Sequence, residues 1–172
     1  MLTMDLGIFV LRVVIGLLYI GHGAQKLFGW FGGRGLQATA KGYESLHLQP
    51  AKLWAILAGL SEFLGGAGLT LGIFTPVAAA LIIGAMLMAI LKVHLPNGLW
   101  NQNRGFEYPL VNLLVAAFLG LFGPGAYALE QSLKLSYPVH WVFVISLAVV
   151  VVVVLIGMVS GRLMTQSQTP TV

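Results

Sequence analysis

The sequence predicts an all-α membrane protein: an antiparallel four-helix transmembrane bundle followed by a fifth, C-terminal transmembrane helix. Of the 172 residues, 58% are apolar and only 8% are charged, whereas a soluble domain carries about 25% charged residues. The apolar residues also form long continuous segments, which indicate membrane-spanning helices and not the alternating strands of a barrel. A soluble globular enzyme is therefore excluded, and the lipid bilayer is the expected partner of most of the chain.

Five apolar segments approach the roughly 20 residues that a helix needs to cross the hydrocarbon layer. In chain order they cover residues 6–26, 53–74, 76–94, 108–122 and 139–161. We expect the first to be retained, because Asp5 and Arg12 are out of place in a cleaved signal peptide. The fourth is short and ends at the turn residues Gly123-Pro124-Gly125. The fifth is apolar on every side, so we place it at the bundle periphery and assign it no chemistry.

We expect a four-helix membrane domain over residues 1–130, and an added helix with a short polar tail over residues 131–172. The connection 30–50 is long for a bundle, and its apolar residues recur at helical spacing, which predicts a short amphipathic helix in the membrane interface. The chain has no cysteine, which excludes disulfides and thiol redox chemistry of its own.

The basic residues predict the orientation of the chain. Five crossings place seven of the nine Lys and Arg on the side opposite the N-terminus: Lys26, Arg34, Lys41, Lys52, Lys92, Arg104 and Arg162. Lys134 lies on the N-terminal side, and Arg12 lies within the membrane. The positive-inside rule then puts the N-terminus outside and the C-terminus in the cytoplasm. The net charge of +4 reflects this bias of the loops, and we expect no nucleic-acid partner.

Glu62 is the strongest candidate for a functional residue. It lies near the middle of the second span, where an ionisable side chain costs about 2.5–3.5 kcal/mol to insert. Small residues surround it at helical spacing, among them Gly59 and Gly66, and they leave room for a neighbouring helix or a ligand. We interpret Glu62 as a proton-handling or ligand-anchoring carboxylate; the alternative is a structural ion pair or a protonated, hydrogen-bonded carboxyl.

The first span carries its polar side chains on one face, which includes Arg12, Tyr19, His22 and Lys26. Arg12 and Glu62 lie about 9 Å and about 18 Å from the N-terminal side, at 1.5 Å per residue. Their side chains also lean towards opposite faces of the membrane. A direct contact between the two is therefore left open, and the alternative is that Glu62 faces Tyr19 or His22.

A second group of polar residues lies on the side opposite the N-terminus, around the third and fourth spans. Its candidate ligand-binding members are His94, Glu107, Tyr108 and Asn112. With His22 and Lys26 they predict a polar pocket at that end of the bundle, and the alternative is an ordinary hydrated loop. Two histidines on different helices are weak support for haem, which we do not expect. We also expect no metal site, because Glu62 lies too deep to join the histidines.

Several short motifs occur in order along the chain. They are Arg12-x-x-x-Gly16, GHGAQKLFG at 21–29, GLSEFLGG at 59–66, HLPNG at 94–98 and FEYPL at 106–110. Together they resemble the DoxX family of small bacterial membrane proteins over about residues 6–130. The sequence departs from the family at Thr75-Pro76, where many relatives carry an arginine, and in its fifth span, which lies beyond the usual core.

The resemblance implies a four-helix bundle in the bacterial inner membrane. It also implies that the protein is an oxidoreductase. The family is named after a subunit of a terminal quinol oxidase, so a quinone is the cofactor that it suggests. The family's recurrent polar residues match positions of this chain as follows: Arg12, His22, Lys26, Glu62, His94, Glu107 and Tyr108.

Three functions are compatible with these observations. The first is a membrane redox component that holds a quinone-like aromatic and receives electrons from a partner redox protein or a soluble substrate. In it Glu62 would carry the proton, Arg12 would tune its acidity, and His22 and Lys26 would bind the carbonyl oxygens. The second is a transporter of a small solute or of protons, in which Glu62 is a gated protonation site. The third is a non-catalytic scaffold whose fifth span recruits a partner enzyme. A homo-oligomer is compatible with all three.

Overall fold

The computed structural model describes residues 2–167, with side chains from 3 to 160. The α-helices, in chain order, are α1 Leu2–Leu27, α2 Gly35–Ser45, α3 Ala51–Leu71, α4 Thr75–Ala89, α5 Glu107–Phe122, α6 Leu129–Ser132 and α7 Val139–Ser167. A π-helical turn and two 3₁₀ turns join α4 to α5: Ile90–His94, Leu95–Asn97 and Asn101–Asn103. Residues 2–167 contain no strand, which confirms the prediction of an all-α protein.

Four helical segments are long and apolar enough to cross a membrane: Thr3–Leu27, Ala51–Leu71, Thr75–Asn97 and Val139–Ser160. Helix α5 is also apolar but has only 16 residues. At 1.5 Å per residue it is about 24 Å long, somewhat less than the hydrocarbon layer of about 30 Å. The protein is therefore a multi-pass membrane protein, as the composition predicts.

The contacts between helices define their directions. Helices α1 and α3 are antiparallel, because Gly16 meets Gly66 near one end and Gly23 meets Phe63 further along. Helix α7 is parallel to α4, because Val150 packs over Gly84 and Gly157 packs against Met88. Helix α5 thus returns the chain to the end of the bundle where α1 begins. We call that end the near end, and the end that holds Lys26 the far end.

Helix α4 lies at the centre of the fold and packs against α3, α5 and α7. The main buried core combines side chains from α1, α3, α4, α5 and α7: Tyr19, Leu69, Ala78, Ala79, Ile82, Ile83, Met86, Ala116, Leu119 and Phe143. A smaller core lies towards the far end and consists of Leu48, Trp54, Met88 and Val154. Helix α7 contributes to both cores, so it is an integral part of the bundle, on its outer side.

Within the 30–50 connection, α2 covers Gly35–Ser45 and packs chiefly against α3. It ends in a turn in which Leu48 N donates to Tyr43 O at 3.0 Å. Leu48 is fully buried in the smaller core. This arrangement holds Tyr43, on the last turn of α2, against the outer side of α3.

Glycines allow the backbones of α1 and α3 to touch. A methyl carbon built at Gly23 would lie 2.5 Å from the Phe63 nitrogen and 2.7 Å from the Gly59 oxygen. Backbone atoms cannot move aside as a flexible side chain can, so such a methyl group would force the two helices apart. The register of α1 against α3, on which the site described below depends, therefore requires glycine at this position.

We expect Gly23→Ala to destabilise the protein by about 1–3 kcal/mol, the usual range for overpacking a close contact. Gly21→Ala is the matched control on the same helix, because a methyl group there would have no neighbour within 4 Å. Unfolding of both variants by a denaturing detergent, followed by circular dichroism, measures the difference. Equal stability of the two variants would contradict the close approach of α1 and α3.

Candidate functional site

The antiparallel register of α1 and α3 brings Lys26 to Glu62. In a helix each side chain leans towards the N-terminus of its own helix. Lys26 lies on the last turn of α1, so its side chain leans back into the bundle. Glu62 leans in the opposite direction, towards the far end, because α3 begins there. The two side chains therefore converge, and Lys26 Nζ lies 2.5 Å from Glu62 Oε1.

Glu62 is buried on all sides, whereas Lys26 reaches the surface. The side chain of Glu62 is 3% exposed and that of Lys26 is 32% exposed. The ammonium group thus links a carboxylate inside the bundle to the polar region at the far end. Pairing is what makes the burial tolerable, because an isolated carboxylate in an apolar interior carries a penalty of several kcal/mol.

One oxygen of this ion pair, Glu62 Oε2, is buried and has no hydrogen-bond partner within the described residues, and the same is true of the Tyr19 hydroxyl oxygen on α1. The other such atoms are Arg12 Nε and Thr75 Oγ1, on residues at the near end. Buried polar groups nearly always have a partner, so an exception calls for an explanation. A carboxylate oxygen that can accept and a phenol that can donate are the groups that bind and protonate a polar ligand atom.

Tyr43 of α2 connects this polar site to the surface of α3. Burial raises the pKa of the Tyr43 phenol, and the negative charge of Glu62 raises it further. Both causes keep the phenol protonated at neutral pH, so Tyr43 is available as a hydrogen-bond donor. Tyr43 also lines an apolar groove of about 280 Å³ between α3 and α7, whose floor is α4. It is therefore the residue of α2 that lines the groove.

Arg12 does not contact Glu62, which corrects the role expected for it. Its guanidinium donates to Leu69 O at 2.8 Å, Thr70 O at 2.9 Å and Tyr127 O at 2.6 Å. The first two carbonyls are at the C-terminal end of α3, where backbone oxygens lack partners within the helix and a positive charge is favourable. Leu69 follows Glu62 by seven residues, about 10 Å along the helix. Arg12 therefore binds backbone carbonyls at the near end and makes no direct contact with Glu62.

His22 lies on the outer surface of α1, outside the buried site. Its Nδ1 is 3.3 Å from Gln25 Oε1, and its ring packs edge-on against Tyr19 with centroids 6.1 Å apart. It borders a shallow depression of about 390 Å³ that also includes Gln25 and Phe31. Of the residues predicted on the first span, the structure thus brings Lys26 into contact with Glu62, but neither Arg12 nor His22. Tyr19 is buried in the main core.

The second predicted cluster forms the connection between α4 and α5. His94 Nδ1 lies 2.7 Å from Arg104 O, and Glu107 Oε2 accepts from Asn101 N at 2.9 Å. Tyr108 is 67% exposed, and Asn112 is partly buried on α5. Within residues 3–160, no hydrogen bond joins any of these predicted residues to Lys26 or Glu62. His94 and Glu107 therefore bind the backbone of their own connection, and the polar pocket expected at this end of the bundle stays a prediction.

A second buried acid, Glu130, was missed in the sequence. It is 3% exposed in the connection between α5 and α7, accepts from the Tyr137 hydroxyl at 2.6 Å and has Thr75 N at 3.5 Å. Its backbone N–H donates to Gly72 O at 3.0 Å. Together with the Arg12 bond to Tyr127, these contacts fasten the 123–138 connection over the near end. The signal was weak, because an acid in a loop between spans ordinarily faces water.

Within the described residues, no three His, Asp or Glu side chains are arranged to hold a metal ion. The groups available to a ligand are thus the Tyr19 and Tyr43 phenols, the Glu62 carboxylate and the Lys26 ammonium. These groups can hold and transfer protons.

A multi-pass α-helical membrane protein with a buried ion pair between its first and second long helices is the class that the fold and the site define. The chain belongs to the DoxX family: the family profile, described as DoxX, matches residues 7–95, just over half of its length. The matched segment contains the ion pair, Tyr19 and Tyr43, whereas α5 and α7 lie outside it.

The chain is also similar to two bacterial proteins over most of its length. "Uncharacterized membrane protein Rv3486" of Mycobacterium tuberculosis is 26% identical over 137 residues, which cover 74% of this chain and 81% of that protein. "Putative oxidoreductase CatD" of Bacillus subtilis is 27% identical over 128 residues, which cover 74% of this chain and 87% of that protein. No solved structure matches the chain.

Proposed function

We propose that this DoxX protein is a membrane redox component that binds a quinone-like aromatic and moves a proton to or from it through Glu62. The observation that carries the proposal is the buried Lys26–Glu62 pair, together with the partnerless atoms Glu62 Oε2 and Tyr19 Oη. Intramembrane ionisable residues usually mark a site of function. The name of the Bacillus subtilis relative supports a redox role over a purely structural one.

The residues present fit a quinone-like ligand. The groove beside α3 offers about 280 Å³ of apolar space, with Tyr43 and Ser61 in its lining. The Ser61 hydroxyl donates to Ala58 O at 3.0 Å, so its oxygen remains free to accept. The lining surface of the groove is almost entirely apolar, so a ligand there would be held chiefly by apolar contacts. A carbonyl-bearing ring would find its donor in the Tyr43 phenol.

A bound quinone supplies the redox chemistry: it takes up two electrons and two protons and becomes a quinol. Tyr43 would donate a hydrogen bond to a ligand oxygen, and so hold the ring in a fixed position. Glu62 and Tyr19 would exchange protons with this donor inside the bundle, away from water. Lys26, which is partly exposed, would restore the proton of Glu62 from the far end. The electrons would come from a partner redox protein or a soluble reductant.

We further propose that the protein lies in the bacterial inner membrane with its far end in the cytoplasm and its N-terminus outside. The excess of Lys and Arg in the far-end connections supports this orientation. Protons and soluble partners would then reach Lys26 from the cytoplasm. The extent of the membrane domain, residues 1–130 with a further helix beyond it, is part of the same proposal.

Glu62→Gln tests the proposal, because glutamine keeps the size of the side chain but carries no transferable proton. We expect reduction of bound decylubiquinone by an added soluble reductant to slow at least about tenfold, since a positioned acid–base group contributes about 10²–10⁴-fold. Affinity for the quinone, measured by its effect on thermal unfolding, should change little. Glu44→Gln is the control, because Glu44 is exposed on α2.

Three results would contradict the proposal. One is a wild-type protein that neither retains a quinone after gentle extraction nor gains thermal stability from decylubiquinone. Another is an equal rate of reduction in wild type and in Glu62→Gln. The third is a pH-dependent proton flux in proteoliposomes that Glu62→Gln abolishes while quinones have no effect. This third result would identify the protein as a proton-coupled transporter.

A further inference from the structure

The groove beside α3 is completed by a helix that lies outside the segment matched to the family. Its floor is α4, which packs against α3 on one side and α7 on the other. One wall comes from α3, with Trp54 and Ser61 among its side chains, and the opposite wall comes from α7. The α7 wall consists of Val149, Val150, Val153 and Val154.

Three glycines hold this wall in place. A methyl group at Gly84 would overlap Val150, and one at Gly120 would overlap Phe143. A methyl group at Gly157 would lie 2.9 Å from Trp54 Cη2. At each glycine, a side chain of the neighbouring helix occupies the space where a Cβ would be. Sliding of α7 along α4 would therefore break these contacts. The Trp54–Gly157 contact also joins the two walls towards the far end.

The remaining side of the groove is open at the outer surface of the bundle. Its rim residues Leu57, Leu64 and Val149 are 40–57% exposed, and in a membrane that surface faces acyl chains. A lipid-soluble molecule can thus enter sideways from the bilayer. The volume, about 280 Å³, is slightly below the usual range for small-molecule pockets, roughly 300–1,000 Å³. It therefore suits one substituted ring, with a hydrophobic tail left in the lipid.

We infer that α7 forms the selectivity wall of the ligand site, and that Val153 limits the size of the aromatic ring that is admitted beside Tyr43. This inference rests on the proposed function, because it takes the occupant to be the quinone-like ring that the polar site serves. It gives the fifth span, to which the sequence assigns no chemistry, a steric role in the site. It also predicts that relatives with different residues on this helix admit rings of different size.

A pair of neighbouring substitutions on α7 tests the inference. Val153→Phe places a ring at the mouth of the groove, which Val153 lines while being 38% exposed. Val152→Phe places the same ring on the lipid-facing side, where Val152 is 55% exposed and does not line the groove. We expect Val153→Phe to weaken the binding of decylubiquinone at least tenfold, and Val152→Phe to leave it within about twofold of wild type. Affinity is measured by titrating decylubiquinone into the purified protein in nanodiscs and following its thermal unfolding. Decanol, which has a chain of the same length without the ring, is titrated in parallel.

The outcomes separate this inference from the proposed function. Loss of binding in Val153→Phe alone, with no effect of decanol, supports the selectivity wall. Equal binding by both variants, with Glu62→Gln still slowing reduction, overturns the inference and leaves the proposed function standing. Equal stabilisation by decanol and decylubiquinone overturns it too, because the groove would then hold only an acyl chain. Absence of quinone binding by wild type overturns both.

Discussion

Lys26→Met should destabilise the protein by about 3 kcal/mol, near the lower end of the range of roughly 3–5 kcal/mol for breaking a buried ion pair. The substitution keeps the length and apolar stem of the side chain but removes the ammonium. Glu62, which is 3% exposed, then loses the partner that lies 2.5 Å away. The lower end of the range applies because the lysine itself is partly exposed. Unfolding in a denaturing detergent at neutral pH measures the change.

The double variant Lys26→Met/Glu62→Gln shows whether the loss comes from the uncompensated charge. With both charges removed, we expect at least half of the lost stability to return, since an uncharged amide costs less to bury than a carboxylate. Lys41→Met is the control, because Lys41 is exposed on α2. If Lys26→Met were as stable as wild type, the ion pair would contribute nothing to the fold.

Arg12→Met should have an effect at least as large, about 3–5 kcal/mol, because it removes the charged donor that binds three backbone carbonyls at the near end. Hydrogen bonds to a charged group are worth about 1.5–3 kcal/mol each, and neighbouring ones do not add fully. The same substitution releases the 123–138 connection, since Arg12 binds Tyr127 O. Faster proteolysis within that connection is therefore expected together with the lower stability.

Arg12→Lys keeps this prediction testable even where Arg12→Met fails to fold. Lysine retains the charge but lacks the planar fork that reaches several carbonyls at once, so we expect about half the loss. Arg34→Met, on an exposed arginine at the start of α2, should leave stability within about 0.5 kcal/mol of wild type. A loss in Arg34→Met equal to that in Arg12→Met would show that general surface charge matters, and would contradict the specific contacts of Arg12.

The class of fold could be predicted because the bilayer leaves few alternatives. A chain with 8% charged residues and long apolar segments has to bury its backbone polar groups in helices. The depth of Glu62 could be estimated in the same way, from the rise per residue. Both conclusions depend on the position of a residue along one helix and need no knowledge of its neighbours.

The ion-pair and hydrogen-bond partners of the charged residues were harder to predict. They depend on which residues of two neighbouring helices lie at the same depth. The direction in which helical side chains lean argued against a contact between Arg12 and Glu62, and the same argument would have favoured Lys26. The actual partners of Arg12 are backbone carbonyls, which look alike at every position of a sequence. Only the fold shows which carbonyls are left without a donor at the end of α3.

Glu130 and Tyr43 illustrate a second limit. Both belong to connections between long helices, where a polar side chain ordinarily faces water and attracts no notice. Each is drawn inward because its connection folds back over one end of the bundle: Glu130 binds Tyr137, and Tyr43 packs beside Trp54. Such packing depends on residues far apart in the chain, so no local pattern indicates it.

The glycine contact between α1 and α3 has a consequence for how the protein can move. With their backbones touching, these two helices form a rigid pair, and the distance between Lys26 and Glu62 stays nearly constant during any working cycle. Opening of the interior would then come from another element, such as the short helix that carries Tyr43. Mobility measured along the chain should accordingly be lower in the α1–α3 pair than in that short helix.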